Sequence, residues 1–207
     1  MAHSAARQSV GTGRTCRNHA AARQLHRERT VDPRLEPIHT ALERILHGHL
    51  PYPAVVVDRH GDLVSVNAAF QALTAGVAPQ LLVPPVSVPR VLLHPRGLAP
   101  RIVNFDEWAW HVIDRVQAES VRNPDDRLRR LASELTDLAP PRSRESPHHL
   151  GFAVPLRLRA PDPADGRELT LITTLTHFGT AIDELRLEAF LPADRATSAM
   201  LAQLLKQ

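Results

Sequence analysis

Between Leu92 and His111 the chain reads LLHPRGLAPRIVNFDEWAWH, a stretch that gathers His94, Arg96, Arg101, Asn104, Asp106, Glu107 and both tryptophans, Trp108 and Trp110. Two kinds of chemistry would use such a set. If His94, Asp106 and Glu107 converged, they could exchange protons with a substrate. The forks of Arg96 and Arg101, with His94, could instead orient a ligand carboxylate, which guanidinium groups match in pairs. A purely architectural use is equally open, in which these side chains clamp the loop to backbone carbonyls.

Other reactive groups are placed less tellingly. Ser65 and Ser87 stand in no GxSxG elbow. Among twelve histidines, the pairs His47 with His49 and His148 with His149 fall in apparent loops without helical spacing or neighbouring carboxylates, so no metal site is expected. His111 has no partner motif for haem. Cys16 is the only cysteine, which precludes an internal disulfide, a thiolate zinc cage and a flavin adduct in a pocket. Lys206 is the only lysine, so neither a Walker-A loop nor a pyridoxal Schiff base can be built. The glycines form no GxGxxG after a strand. No cofactor is expected.

The elements that must carry these residues can be read from periodicity. Leu35, Ile38, Leu42, Ile45 and Leu46 recur at helical spacing and stop near Gly48. PYPAVVVDRHGDLVSV then changes period and predicts a hairpin turning at Arg59, His60 and Gly61, after which Asn67 caps a short helix with Phe70 and Leu73 on one side. From Pro79 to Pro100 six prolines break up an apolar text. Leu81, Leu82, Val83, Val86, Val88, Val91, Leu92 and Leu93 there are expected to lie against other apolar surface rather than in solvent.

Asn104 to Glu107 has the spacing of a capping box, with Val103 and Trp108 as its staple. The carboxylates would then be structural. Phe105, Trp108, Val112 and Val116 give the following helix a core face, with Glu107, Asp114 and Arg115 left wet. Asn123-Pro124-Asp125-Asp126 is expected to cap the next helix through Asn123, and Leu128, Leu131, Leu135 and Leu138 form that helix's buried stripe. After a polar loop, strands are predicted around Phe152–Arg159 (an edge strand, because of Pro155), Arg167–Phe178 and Glu184–Leu191, with a closing helix from about Asp194.

Charge divides the chain. Residues 1–31 hold six arginines against one glutamate, or +5 of a total of +3, which leaves −2 for residues 32–207. A mildly acidic body has no means of displacing counterions from nucleic-acid phosphates, so no direct DNA binding is expected from it. The first 31 residues are read as a solvated basic tail and residues 32–207 as one domain. No apolar run is long enough to span a membrane, and a cytoplasmic, reducing setting is expected.

Two strands, a block of helices and three strands do not alternate as a parallel sheet would. They predict an α+β domain: a five-stranded antiparallel sheet with helices on one face, PAS-like in shape. PYPAVVVDRHGDLVSVNAAF, LLHPRGLAPRIVNFDEW and FGTAIDELRLEAFLPADRAT carry a resemblance to the MmyB-like ligand-binding domain of bacterial XRE-type helix-turn-helix transcription regulators. The resemblance covers nearly everything from Asp32 onward and implies a PAS-like fold, a small apolar or fatty-acid-like ligand and a regulatory role. Ala181 departs from the proline usual in that family after FGT. Residues 1–31 are also too short for the helix-turn-helix module that the family carries ahead of this domain.

The ligand pocket is expected between the sheet and the middle helices. Val56, Phe70, Leu73, Leu93, Val103, Trp108, Val112, Leu171 and Leu175 would form its walls or the core beneath, with His94, Arg96 and Arg101 as polar candidates at its edge. The expected function is non-enzymatic sensing of an apolar small molecule, with self-association or pairing with a full-length relative as the route to a regulatory effect. The alternative is a small α+β cone-fold enzyme acting on a hydrophobic substrate.

Overall fold

The computed structural model describes residues 36–142, 154–161, 166–178 and 185–206. The chain divides at His39–Thr40, and the sheet lies in the unit Thr40–Gln207. The basic tail, Cys16, Phe152, Gly179, Ala181 and the His148–His149 pair lie outside the described residues.

The described elements are helix α1 (Glu36–Gly48), strands β1 (Ala54–Val57) and β2 (Leu63–Val66), helices α2 (Ala68–Leu73), α3 (Val88–Leu93), α4 (Phe105–Arg122) and α5 (Asp126–Leu138), strands β3 (Leu156–Arg159), β4 (Glu168–His177) and β5 (Arg186–Pro192), and helix α6 (Arg195–Leu204). The five strands form one antiparallel sheet in the order β2-β1-β5-β4-β3, which is the expected α+β class. This order explains where the helices go. β2 and β3 are consecutive strands yet occupy opposite edges, so the chain between them must cross a whole face of the sheet. It does so with α2 to α5.

Register fixes which side chains meet those helices. In an antiparallel ladder directly paired residues share a face and successive residues alternate. One face therefore carries Leu156, Leu171 and Pro192 in one row, Thr173 and Phe190 in the next, and Leu175, Glu188 and Val55 in a third. Helix α4 lies on this face, because Arg115 pairs with Glu188 and Glu119 with Arg186. Its other end is held at β3. The Val103 amide donates to the Arg157 carbonyl at 2.8 Å, the Asn104 side chain donates to the Pro155 carbonyl at 2.8 Å, and the Arg157 amide donates back to Asn104 Oδ1 at 3.0 Å. The helix thus runs diagonally from the β3 edge to β5.

Those bonds correct the expected capping box. Glu107 does reach back, but to the Asn104 side chain, at 3.1 Å, and Asn104 makes no side-chain cap to its own helix. Its amide is spent on strand pairing at an edge where β3 would otherwise present free backbone groups. Asn123 is corrected likewise: it closes α4, donating to Glu119 at 2.7 Å, while Asp125 caps α5 through the Arg127 amide. Leu82 and Val83, expected to be covered, are exposed; the single turn Pro79–Leu82 is too short to turn both ends of its apolar run inward. Val86, Val88, Val91, Leu92 and Leu93 are buried.

Asn67 joins three elements. Its Oδ1 accepts the Ala54 and Phe70 amides at 3.1 and 3.0 Å, and its Nδ2 donates to the carbonyls of Leu46 and Tyr52 at 3.2 and 2.9 Å. All four hydrogen-bonding sites of a buried amide are used, so α1, β1 and α2 share one fixed origin.

Candidate ligand-binding site

The layer between α4 and the sheet is built from carbon. Leu156, Leu171 and Phe190 line it from the sheet, each at most 1% exposed, and Trp108 and Val112 are buried on α4. Phe70 of α2 meets Phe190 with ring centroids 5.7 Å apart, which closes one side. Trp108 stands seven residues before Arg115, on the same stripe of the helix and ~10.5 Å along its axis. At that point α4 lies between its anchor on β3 and its contact on β5, so Trp108 belongs to the helix stripe that faces the layer.

At the other end of the helix the layer is closed by charge. Arg115 meets Glu188 at 2.8 Å and Arg186 meets Glu119 at 3.3 Å, while Arg122 lies 3.5 Å from Glu119. Arg186 also donates to the carbonyls of Asp58 and Arg59, which ties the β1–β2 turn into the cluster. Arg115, expected to be wet, is corrected to a buried-pair partner, because β5 carries a glutamate into the face that α4 covers.

Three buried polar atoms on these elements have no hydrogen-bond partner among the described residues: Trp108 Nε1, Thr173 Oγ1 and Arg186 Nε. The other tryptophan differs, since Trp110 donates to the Pro140 carbonyl at 3.1 Å. Thr173 was not legible in the sequence as a site residue; in RELTLITTLTHF it is one of four threonines, and only the ladder register turns it to this face.

The structure distributes the sequence-predicted site residues unevenly. Phe70, Leu73, Leu93, Trp108, Val112 and Leu171 are all buried. Val56 is corrected: it pairs with Leu187 and Ser65, and so lies on the opposite face from Leu171 and Phe190. Leu175 faces the right way but is 38% exposed. It lies two rows beyond Leu171, at the Glu188 level where the charge cluster replaces apolar cover. Val103 is half-buried at the β3 edge, held by its backbone.

The three polar candidates serve the loop. Arg101 donates to the Leu73 carbonyl at 2.8 Å and to the Arg159 carbonyl through both Nε and Nη2, and burial lowers its pKa from the ordinary value. His94 Nδ1 accepts the Arg96 amide at 2.9 Å, and the Arg96 side chain is exposed. Gly97 completes this turn because nothing larger fits: a Cβ there would stand 2.2 Å from the Val91 carbonyl oxygen. The stretch from His94 to Arg101 is a clamp. Asp106 is exposed and Glu107 is bonded to Asn104.

Among the described residues no group of three or more histidine, cysteine, aspartate or glutamate side chains is arranged to hold a metal, and no helix is long and apolar enough to cross a membrane. No curated protein matches the chain. A family profile does, over residues 38–204, a span that takes in every strand and nearly all of the helices described above. The chain belongs to the family of MmyB-like transcription regulator ligand binding domains.

Proposed function

We propose that this domain is the small-molecule sensor of a transcription regulator, PAS-like and non-enzymatic, and that it takes an apolar, fatty-acid-like ligand between α4 and the sheet. The observation that carries this reading is the lining of that layer. Its walls are Leu156, Leu171, Phe190, Phe70, Val112 and Trp108, and at its end Arg115 and Arg186 form ion pairs with Glu188 and Glu119, with Arg186 Nε left unbonded. Apolar walls with a few placed polar groups are what a small hydrophobic ligand requires. The residues that an enzyme reading would use, His94, Asp106 and Glu107, are a loop clamp, an exposed side chain and a partner of Asn104.

Binding would act by setting the position of α4, which touches β3, β5 and α5 at once. A ligand shifts a regulator only through its different affinity for two such positions. The test is a titration of the full chain with decane, decanoic acid and other medium-chain compounds, followed by tryptophan fluorescence. Saturable quenching by at least one apolar compound is the expected result. A flat response across chemically varied ligands would sink the reading, because Trp108 lies in the layer itself.

A further inference from the structure

We infer that Asn67 couples the Phe70 side of the layer to the last turn of α1, so that a change in how Phe70 packs is passed to the helix through which the chain enters the domain. Phe70 holds one end of this link with both its side chain and its backbone. Its ring meets Phe190 with centroids 5.7 Å apart, and its amide donates to Asn67 Oδ1 at 3.0 Å. From the same side-chain amide, Nδ2 donates to the Leu46 carbonyl at 3.2 Å and to the Tyr52 carbonyl at 2.9 Å. Leu46 belongs to the last turn of α1, which ends at Gly48. As an output route this rests on the reading of the layer as a ligand site, but the coupling itself can be tested without a ligand.

The link transmits rather than absorbs a displacement for two reasons. The side-chain amide is one rigid group whose oxygen and nitrogen move together, and Asn67 is buried with all four of its hydrogen-bonding sites in use. Leaving a buried donor or acceptor unbonded is the expensive alternative. The receiving end, in contrast, is built to yield. The His49, Leu50 and Tyr52 amides donate to the carbonyls of Leu46, His47 and His49 at 3.3, 3.1 and 2.8 Å. Each of these bonds closes a three-residue step, which has poorer geometry than an α-helical bond.

The experiment follows amide hydrogen exchange by mass spectrometry in the full chain, without ligand, in peptides covering residues 45–52 and 68–73. Phe190→Leu removes the ring that Phe70 packs on. It should speed exchange in both peptides by roughly two- to tenfold, the range of couplings within one hydrogen-bond network. Leu156→Val, a comparable loss from the β3 side of the same layer, is the control for general destabilisation and should leave residues 45–52 unchanged. Asn67→Asp keeps the acceptor for Phe70 but cannot donate to Leu46 or Tyr52. In that background Phe190→Leu should still speed exchange in residues 68–73 and have no added effect on residues 45–52. Asn67→Ser, which retains a cap for α2 but has no amide to reach Leu46, gives the same separation should the aspartate variant fail to fold.

Three results would overturn the coupling: no response of residues 45–52 to Phe190→Leu, an equal response to Leu156→Val, or a response that persists undiminished when Asn67 is replaced. Each of them leaves the sensor reading standing, because no ligand is present. A flat ligand titration, in turn, removes the sensor and leaves the link between Phe70 and α1 as a mechanical property of the fold.

Discussion

Arg115 of α4 donates to the carboxylate of Glu188 of β5 at 2.8 Å, and only 6% of the glutamate side chain reaches solvent. The pair fixes the angle at which the long helix crosses the sheet, because the other anchor of α4, Asn104 on β3, lies at its far end. A buried carboxylate deprived of its cation is costly, while an apolar pair of similar volume is often harmless. Arg115→Ala should cost about 3 kcal/mol on that basis, and Arg115→Leu combined with Glu188→Leu should recover most of it. Urea unfolding of the two variants separates the outcomes. If the single and double replacements lose equal stability, the pair does not position the helix.

Gly97 provides a second, sharper test. The Val91 carbonyl that a Cβ at residue 97 would strike at 2.2 Å also accepts the Leu98 amide at 2.8 Å, so it cannot withdraw without breaking that bond. Gly97→Ala should destabilise the domain by about 2 kcal/mol or more, at the upper side of ordinary overpacking. Gly48→Ala is the control, since nothing lies within 4 Å of its added methyl group. It should leave the urea midpoint nearly unchanged.

Asn67 should be among the most sensitive polar residues. Replacement by alanine removes the α2 cap and leaves the Ala54 amide and the carbonyls of Leu46 and Tyr52 without this partner. A lost cap alone costs about 1 kcal/mol, and buried groups left unbonded cost more. Asn67→Asp is the informative variant: it keeps the acceptor for Ala54 and Phe70 but cannot donate. A stability equal to that of the parent would show that the two donated bonds contribute nothing.

Much of this arrangement can be read from the sequence, and the failures have physical causes. The hairpin, the strands β4 and β5, the start of α6 near Asp194 and the stripe of α5 follow from period and turn chemistry, which are local. Facing is less local. In AVVV every residue is apolar and every one is buried, so nothing in the run separates Val56 from Val55; only the register with β5 does. Arg115 and Glu188 are ordinary charged residues in their own segments, and their pairing appears only when β5 is placed in the middle of the sheet. The polar stretch from His94 to Arg101 suggests chemistry because it is dense in polar groups, yet Arg101 spends its guanidinium on carbonyls that lie up to 58 residues away and the Arg96 side chain is exposed. Leu82 and Val83 show the reverse error, an apolar run that the fold leaves outside.

The turn between β1 and β2 carries a pH dependence. His60 Nε2 and Asp125 Oδ2 are 2.8 Å apart, and Asp58 Oδ1 accepts the His60 and Asp62 amides, so the turn is joined to the cap of α5. The bond to His60 first, and the Arg127 amide second, hold the Asp125 carboxyl down at about 2. In the unfolded chain the same group titrates at about 3.9. The folded protein therefore binds this proton only at lower pH than the unfolded chain does. The stabilisation is complete above about pH 4 and is lost as the pH falls toward 2. Asp125→Asn keeps an acceptor for the cap but cannot titrate, so it should flatten the dependence of the urea midpoint on pH between about 4 and 2. A residual slope is expected from Asp194, held low by the Thr197 amide, and from Glu134, held low by Arg90. An unchanged slope in Asp125→Asn would mean that the His60 contact does not contribute to holding the turn against α5.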